Sequence, residues 1–322
     1  MRPVGRRWGA ALVVSLALAP ALAGCGSDGD STHTIAILQA VAVAPERQAA
    51  LLGALAEAGY GEGDLEVLGG DEVHATEADA EAAVRNWVDD GAELIVALST
   101  TSAQAAQKAT SKVPVVVLSN DLAASGLVDD ERHPSGNLTG TSYRVPSDRL
   151  LSIAGDAFGP LEHVGCLYPT GDPGAAPVQA DIERGAEALE LDVTCAGFAT
   201  PADVGATVQG LAADGVDVLY LVNTPGTVQA FDEIEAAAVA AKLPVLATNP
   251  TDFASLLLEP DGADVYAQLG RQAARLLGGA DVADVPVQDP GTFVLIVNPG
   301  AAAKVGLTIA AAVERRADEV VR

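Results

Sequence analysis

The sequence predicts an α/β protein of two doubly wound parallel-sheet lobes joined by a hinge. Three observations carry that expectation. Short runs that are apolar throughout alternate with longer runs whose apolar residues recur at helical spacing. Strands of that kind, joined by helices, belong in a parallel sheet covered on both faces. The alternation pauses near Pro146 and then starts again, so two βαβαβαβ blocks of similar length follow one another. A chain of 322 residues also exceeds what one core usually serves.

At the start of the chain Arg2, Arg6 and Arg7 precede an apolar stretch from Ala10 to Ala23. Positive charge, a short apolar core and small residues at the exit are the parts of a secretory signal peptide. The stretch is shorter than the roughly 20 apolar residues that a membrane span needs. Arg6-Arg7 hints at twin-arginine export, but the rest of that motif is missing and general secretion explains the pair as well. The exit, Leu22-Ala23-Gly24-Cys25, resembles the lipobox of bacterial lipoproteins. The resemblance implies that residues 1–24 are removed and that Cys25 becomes a lipidated first residue, anchored to a membrane face. One acyl chain binds only marginally, so stable anchoring needs more than one. The alternative is a plain signal whose cysteine is incidental. Residues 26–32 have nothing to bury and read, with Cys25, as a flexible tether.

The first block then reads in order. Thr34–Gln39 is a strand, and Pro45–Tyr60 a helix that ends at Gly59. Leu65–Leu68 is a short strand. Residues 76–91 read as a capped helix, with Thr76 as N-cap, Asp79 three residues on and Gly91 as its stop. Glu93–Leu98 and Val113–Leu118 are strands, separated by the helix Ser102–Thr110. Asn137, in an Asn-Leu-Thr sequence, reads as the turn entering the first crossover. The second block offers strands at His163–Tyr168, Leu191–Ala196, Val216–Val222 and Leu243–Thr248. Helices at 176–190, 201–215 and 227–241 alternate with them. The tail breaks the pattern with a helix at 264–279 and a lone late strand at 292–298. A tail returning to earlier sheets joins the lobes by several crossovers and makes the hinge. The expected division is 33–144 plus about 262–285 for the first lobe, and 145–261 plus about 286–322 for the second.

Composition narrows the partners. The formal net charge is −26; loss of residues 1–24 with their three arginines leaves 15 basic against 44 acidic side chains, a net charge of −29. Such a polyanion repels nucleic acid. It repels anionic headgroups too, so attachment to a membrane falls to the lipid. The acids are spread along the chain, as on a folded body with an acidic surface. Cys166 and Cys195 both fall on expected strands. Outside the cytoplasm they can pair, and two buried thiols are an equal alternative. The four histidines (33, 74, 133 and 163) are scattered, none at ligand spacing from a cysteine, so no metal site and no cofactor are expected.

Several segments together resemble a known family. "IAILQ" with "LAEAGYGEG", then "DDGAELIVALSTTSAQAAQKATSKVPVVV", then "NDLAASGLV" and "PSGNLTGTS" appear in its order. So do "YAQLGRQAARLLGGADVADVPV" and "IVNPGAAAKVGLTI…RADEVV". These, with the lipobox, are similar to the substrate-binding lipoproteins of ABC transporters, in the family that includes tryptophan- and tyrosine-binding proteins. The resemblance implies a type I periplasmic-binding fold, a monomer, and a small-molecule ligand passed to a membrane permease with its ATPase. It implies a binding protein rather than an enzyme.

In open α/β sheets ligands bind beyond the carboxyl ends of the strands. That geometry nominates Gln39, Ser99, Thr100, Thr101, Ser102, Asn120, Asp121, Tyr168, Asp172, Asn223, Thr224 and Asn249. The Ser99–Ser102 turn sets hydroxyls where a strand hands over to a helix, which suits a carboxylate or another anion. At least one of the four caps the helix instead. Asp121 can take an amino group or a hydroxyl, or cap the next turn. Tyr143 and Tyr168 can stack on a flat ligand, although packing in the core accounts for either.

The chain departs from the amino-acid-binding pattern in three places. Where the family has Tyr-Asn-Pro-x-Glu-x-Asn-Ser, this chain runs from Tyr168 through Asp172 to Gly174-Ala175, which puts the carboxylate-binding Asn-Ser pair in doubt. Where the family has Thr-Asp-Asn, "NTPGT" lacks the acid that pairs with an ammonium. The opening loop "AVAVAPE" replaces a His-Pro segment. An α-amino acid loses partners at both charged ends, and unpaired charges in a closed cleft are costly. A ligand-sensing lipoprotein that signals to a membrane receptor fits the same sequence. A secreted hydrolase fits poorly, since no Gly-x-Ser-x-Gly or His-Glu-x-x-His motif is present.

Overall fold

Strand β1 (His33–Leu38) shows why a doubly covered sheet forms. Ile35 and Ile37 pack on one face, Ala36 and Leu38 on the other, and all four are buried. A strand with no solvent face needs helices on both sides. The computed structural model describes residues 32–321, so the signal, the lipobox with Cys25 and nearly all of the tether lie outside the described residues.

Helix α1 (Pro45–Glu57) opens on a proline, whose missing N–H costs nothing in a first turn. Strand β2 (Leu65–Leu68) leads to α2 (Glu77–Asp89), where the Thr76 side chain accepts from the Asp79 N–H at 3.2 Å. Gly91, at φ +96°, follows its end. Then come β3 (Leu94–Ala97), α3 (Thr100–Ala109), β4 (Val115–Ser119) and β5 (Leu138–Ser142). These strands form one parallel sheet in the order β2-β1-β3-β4-β5.

The second half continues with α4 (Ser147–Phe158), β6 (His163–Pro169), α5 (Ala175–Ala188) and β7 (Asp192–Phe198). A 3₁₀ turn leads into α6 (Val204–Ala213), then β8 (Val218–Leu221), α7 (Pro225–Val228), α8 (Phe231–Ala241), β9 (Val245–Ala247) and β10 (Leu256–Pro260). Helix α9 (Gly262–Leu277), β11 (Phe293–Val297), α10 (Pro299–Lys304), α11 (Ala311–Glu314) and β12 (Glu319–Val320) complete the chain. The second sheet runs β12-β11-β10-β9-β8-β6-β7. It is parallel except where β10 meets β11.

The chain passes between the sheets three times: after β5, between β10 and α9, and between α9 and β11. On the way, α9 lies along α1 and reaches β3, β4 and β5 of the first sheet. Gly270 makes that approach close: a Cβ there would stand 2.4 Å from the Leu51 carbonyl and 2.8 Å from Ala54 Cβ. Among the described residues no helix is long and apolar enough to cross a membrane.

Three local readings change. Asn137 lies in a turn, but the residues that follow it at once, 138–142, are strand β5, the edge of the first sheet. Their polar composition hid this, because the hydroxyls find partners from the tail. Thr139 donates to the Val285 carbonyl, and Thr141 donates to Gln272 Oε1 at 3.1 Å, so both are buried without an unpaired group. The late strand β11 is not alone, since it pairs with β10 (Leu258 opposite Leu295) and β12. The helix expected over 227–241 breaks in two near Gln229 and Ala230. Cys166 and Cys195 are register partners on β6 and β7, with Cα atoms 4.3 Å apart, and form a disulfide.

Candidate ligand-binding cleft

A strand that ends inside a doubly wound sheet releases its next residues at the sheet's edge, beside the start of the following helix. In the first sheet, β3 delivers Ser99 and Thr100, and β4 delivers Ser119 and Asn120. In the second, β8 delivers Asn223 and Thr224, and β9 delivers Asn249. All seven line one cavity of about 250 Å³ between the two sheets. Its apolar wall comes from Val41, Val43, Leu98, Leu118, Pro225, Val228 and Pro250, with Tyr143 and Tyr266 adding two rings. Burial pushes the Tyr266 phenol up to about 12 and raises Tyr143 well above the usual phenol range, so both present neutral hydroxyls.

The hydroxyls at the start of α3 are largely committed to one another. Ser99 Oγ accepts from the Ser102 N–H at 3.0 Å and donates to Ser102 Oγ at 2.8 Å, which caps the helix. Thr100 Oγ1 and Ser119 Oγ share a hydrogen bond of 2.7 Å. Thr224 caps α7 by accepting from the Thr227 N–H at 3.4 Å. Asn120 ties the two sides together: its Nδ2 donates to the carbonyls of Asn223, at 2.5 Å, and Gly174, at 3.2 Å. Asn249 Oδ1 is buried and finds no donor.

The floor of the cavity carries a charge. Arg47, in the first turn of α1, donates from Nη2 to Glu259 Oε2 at 2.7 Å, and the Tyr143 hydroxyl donates to the same oxygen at 3.3 Å. Burial alone would lower the pKa of the guanidinium, but the charge and hydrogen bond of Glu259, together with the neighbouring Tyr143 and Tyr266, outweigh it and raise the pKa, so Arg47 stays protonated.

Six of the expected site residues therefore come together here: Ser99, Thr100, Asn120, Asn223, Thr224 and Asn249. The other six lie outside the lining. Gln39 donates to the Gly70 carbonyl at 3.0 Å and accepts from the Val43 N–H at 3.1 Å, shaping the loop that forms one wall. Thr101 and Ser102 sit in the first turn of α3. Asp121 accepts from Arg144 at 2.9 Å and from the Ala124 N–H at 2.8 Å. Tyr168 packs half-buried against the core, its ring against Gly197. Asp172 accepts from the Gly174 and Gly226 N–H groups at 2.9 and 3.4 Å, pinning two loops of the second sheet to each other.

Sequence reading missed Arg47 and Tyr266, and offered Tyr143 either as a ring to stack on a ligand or as core packing; it lines the cavity and also packs in the core. Arg47 and Tyr266 sit on helices with amphipathic patterns, and nothing local marks them. A usable signal for Arg47 was its position, one turn into the helix that follows the first strand. Gly174 also lines the cavity; a Cβ there would meet Thr100 Oγ1 at 3.1 Å and Asn120 Nδ2 at 3.4 Å. The absence of a side chain lets the two sides approach.

Residues 34–321 match the family model described as ABC transporter substrate binding protein. The tyrosine-binding protein of Clostridioides difficile (strain R20291) is 27% identical over 250 residues, covering 76% of this chain and 72% of that protein. Among solved structures, an ABC domain in complex with L-Trp from Streptococcus pneumoniae superposes with a TM-score of 0.82 at 22% identity, over 90% of this chain and 100% of that one. A conserved domain protein from Vibrio cholerae O1 biovar El Tor superposes with a TM-score of 0.81 at 25% identity, over the same shares of each chain, 90% and 100%. The fold is the two-lobed type I periplasmic-binding architecture. The chain belongs to the ABC transporter substrate binding protein family.

Proposed function

We propose that this member of the ABC transporter substrate binding protein family is the solute receptor of an importer, held outside the cytoplasm by lipid on Cys25. Its two lobes, 33–144 with about 262–285 and 145–261 with about 286–322, close on a small solute and hand it to a membrane permease. One observation carries the reading: polar residues from the strand ends of both sheets converge on a single cavity. A solute bound there touches both lobes, so it favours the closed arrangement by its extra contacts. Asn120, already bonded across to Asn223 and Gly174, is a natural part of that closure. The apolar wall and the two tyrosines suit an aromatic or amino-acid-like body, the class that the tyrosine-binding relative and the L-Trp complex are named for.

Native mass spectra of the full chain, before and after unfolding and refolding, test the reading. Aromatic and aliphatic amino acids, aryl acids, purines and small sugars are then added in turn. A discrete added mass, with contraction in solution scattering, is the expected result. A bare spectrum with every solute class would remove the receptor reading.

A further inference from the structure

Charge inside the cleft says which solute it takes. Arg47 is the one charged residue in the lining, and among the described residues no carboxylate lines the cavity. The acids bonded to lining residues are committed elsewhere. Glu259 holds Arg47 and the Tyr143 hydroxyl from outside the lining, and Asp172 holds two backbone N–H groups. Glu259 engages Nη2 of Arg47 and the Tyr266 phenol lies beside the same group, while a guanidinium carries five N–H donors. Donors therefore remain for a ligand carboxylate, which planar Arg binds better than any other side chain. An ammonium meets the opposite situation. It would share a cavity of about 250 Å³ with the Arg47 charge and find no anion to pair with. The second polar feature is Asn249 Oδ1, a buried acceptor with no donor, on a residue that is 6% exposed. A neutral hydroxyl or N–H on the ligand satisfies it.

We infer that the cleft selects an apolar monocarboxylic acid that lacks an α-ammonium and carries one neutral hydroxyl or N–H donor. Its carboxylate sits on Arg47 and its donor on Asn249. The inference rests on reading the cavity as a solute site.

Three probes with one body decide it by calorimetry on the full chain: 3-(4-hydroxyphenyl)propanoate, L-tyrosine and tyramine. The acid is expected to bind at least tenfold tighter than tyrosine, and tyramine not at all. In the double variant Arg47→Gln/Glu259→Gln, which leaves no buried charge unpaired, the acid's advantage should fall at least tenfold while thermal unfolding stays cooperative. Tyrosine binding as tightly as the acid, or measurable tyramine binding, overturns the inference and leaves the receptor reading standing. Silence from all three probes also overturns it. The wider solute panel then decides separately whether the receptor reading falls as well.

Discussion

Arg47 and Glu259 stand 212 positions apart and meet at 2.7 Å under the cavity, the one on the first helix and the other at the end of β10. The pair ties the first lobe's opening helix to the last strand before the chain crosses back. Both side chains are mostly buried, at 18% and 11% exposed. Removing one partner leaves a charge that water cannot fully reach. Glu259→Gln should cost roughly 3 kcal/mol of folding stability, measured by chemical denaturation. The double variant to glutamines should recover most of it. Equal losses in the single and double variants would show that the pair contributes only packing.

Asn120 makes two hydrogen bonds that span the cleft. Asn120→Ala removes both, each worth about 1 kcal/mol net. Ligand affinity should fall roughly five- to thirtyfold with little change in melting temperature. An unchanged affinity would mean that closure does not use this contact.

Gly174 sits at φ −80°, where any residue is tolerated, so a substitution there acts only through space. A side chain would press on Thr100 and Asn120 across the cleft. Gly174→Asn should weaken binding about tenfold, near 1.4 kcal/mol, and give a larger radius of gyration with ligand present. Tighter binding would reverse the sign and mean that the added amide supplies a ligand contact.

Cys166 is fully buried opposite Cys195, and a bond between them closes a loop of sequence separation 29. Cross-linking a loop of that size stabilises by roughly 3.6 kcal/mol in the chain-entropy account. Peptide mapping without reduction should recover the two cysteines as one linked species. The variant Cys166→Ala/Cys195→Ala should unfold at lower denaturant.

Asp121 is pulled in two directions. Burial raises its pKa, while hydrogen bonds from Arg144 and from the Ala124 backbone lower it, and the net shift is downward from 3.8. Arg144 also binds Glu131 and Asp289, so three carboxylates share one guanidinium. A depressed folded value means that the stabilisation is complete above about pH 4. It is lost as pH falls through the folded value. Asp121→Asn should therefore flatten stability against pH below 4 and leave the slope between pH 5 and 7 unchanged. Denaturation midpoints across that range measure it.

The strands and helices were largely legible because this sheet architecture writes itself locally. Ile35 to Leu38 must be a doubly buried strand, and Thr76 with Asp79 must begin a helix. Strand β5 was not legible. Leu138-Thr-Gly-Thr-Ser carries too few apolar side chains, and the groups that satisfy its hydroxyls lie more than a hundred residues away on the tail. Half of the nominated residues, six of twelve, reached the cavity by one rule, that strand ends face the ligand. Gln39, Asp121 and Asp172 obey the same rule yet serve loops, because each found a nearer partner.

What the sequence determined by itself was the order of elements, the two-block architecture, the acidic surface and the polar residues at the strand ends. These depend on periodicity and composition, which act over a few residues at a time. Tertiary structure alone decided which of those residues share the cavity, that β5 pairs with β4 and β10 with β9 and β11, and that Arg47 supplies its charge. Arg47 faces the cavity because α9 lies on α1 and β10 brings Glu259 beneath it. Contacts between residues so far apart are set by the packing of whole elements, and no local pattern encodes them.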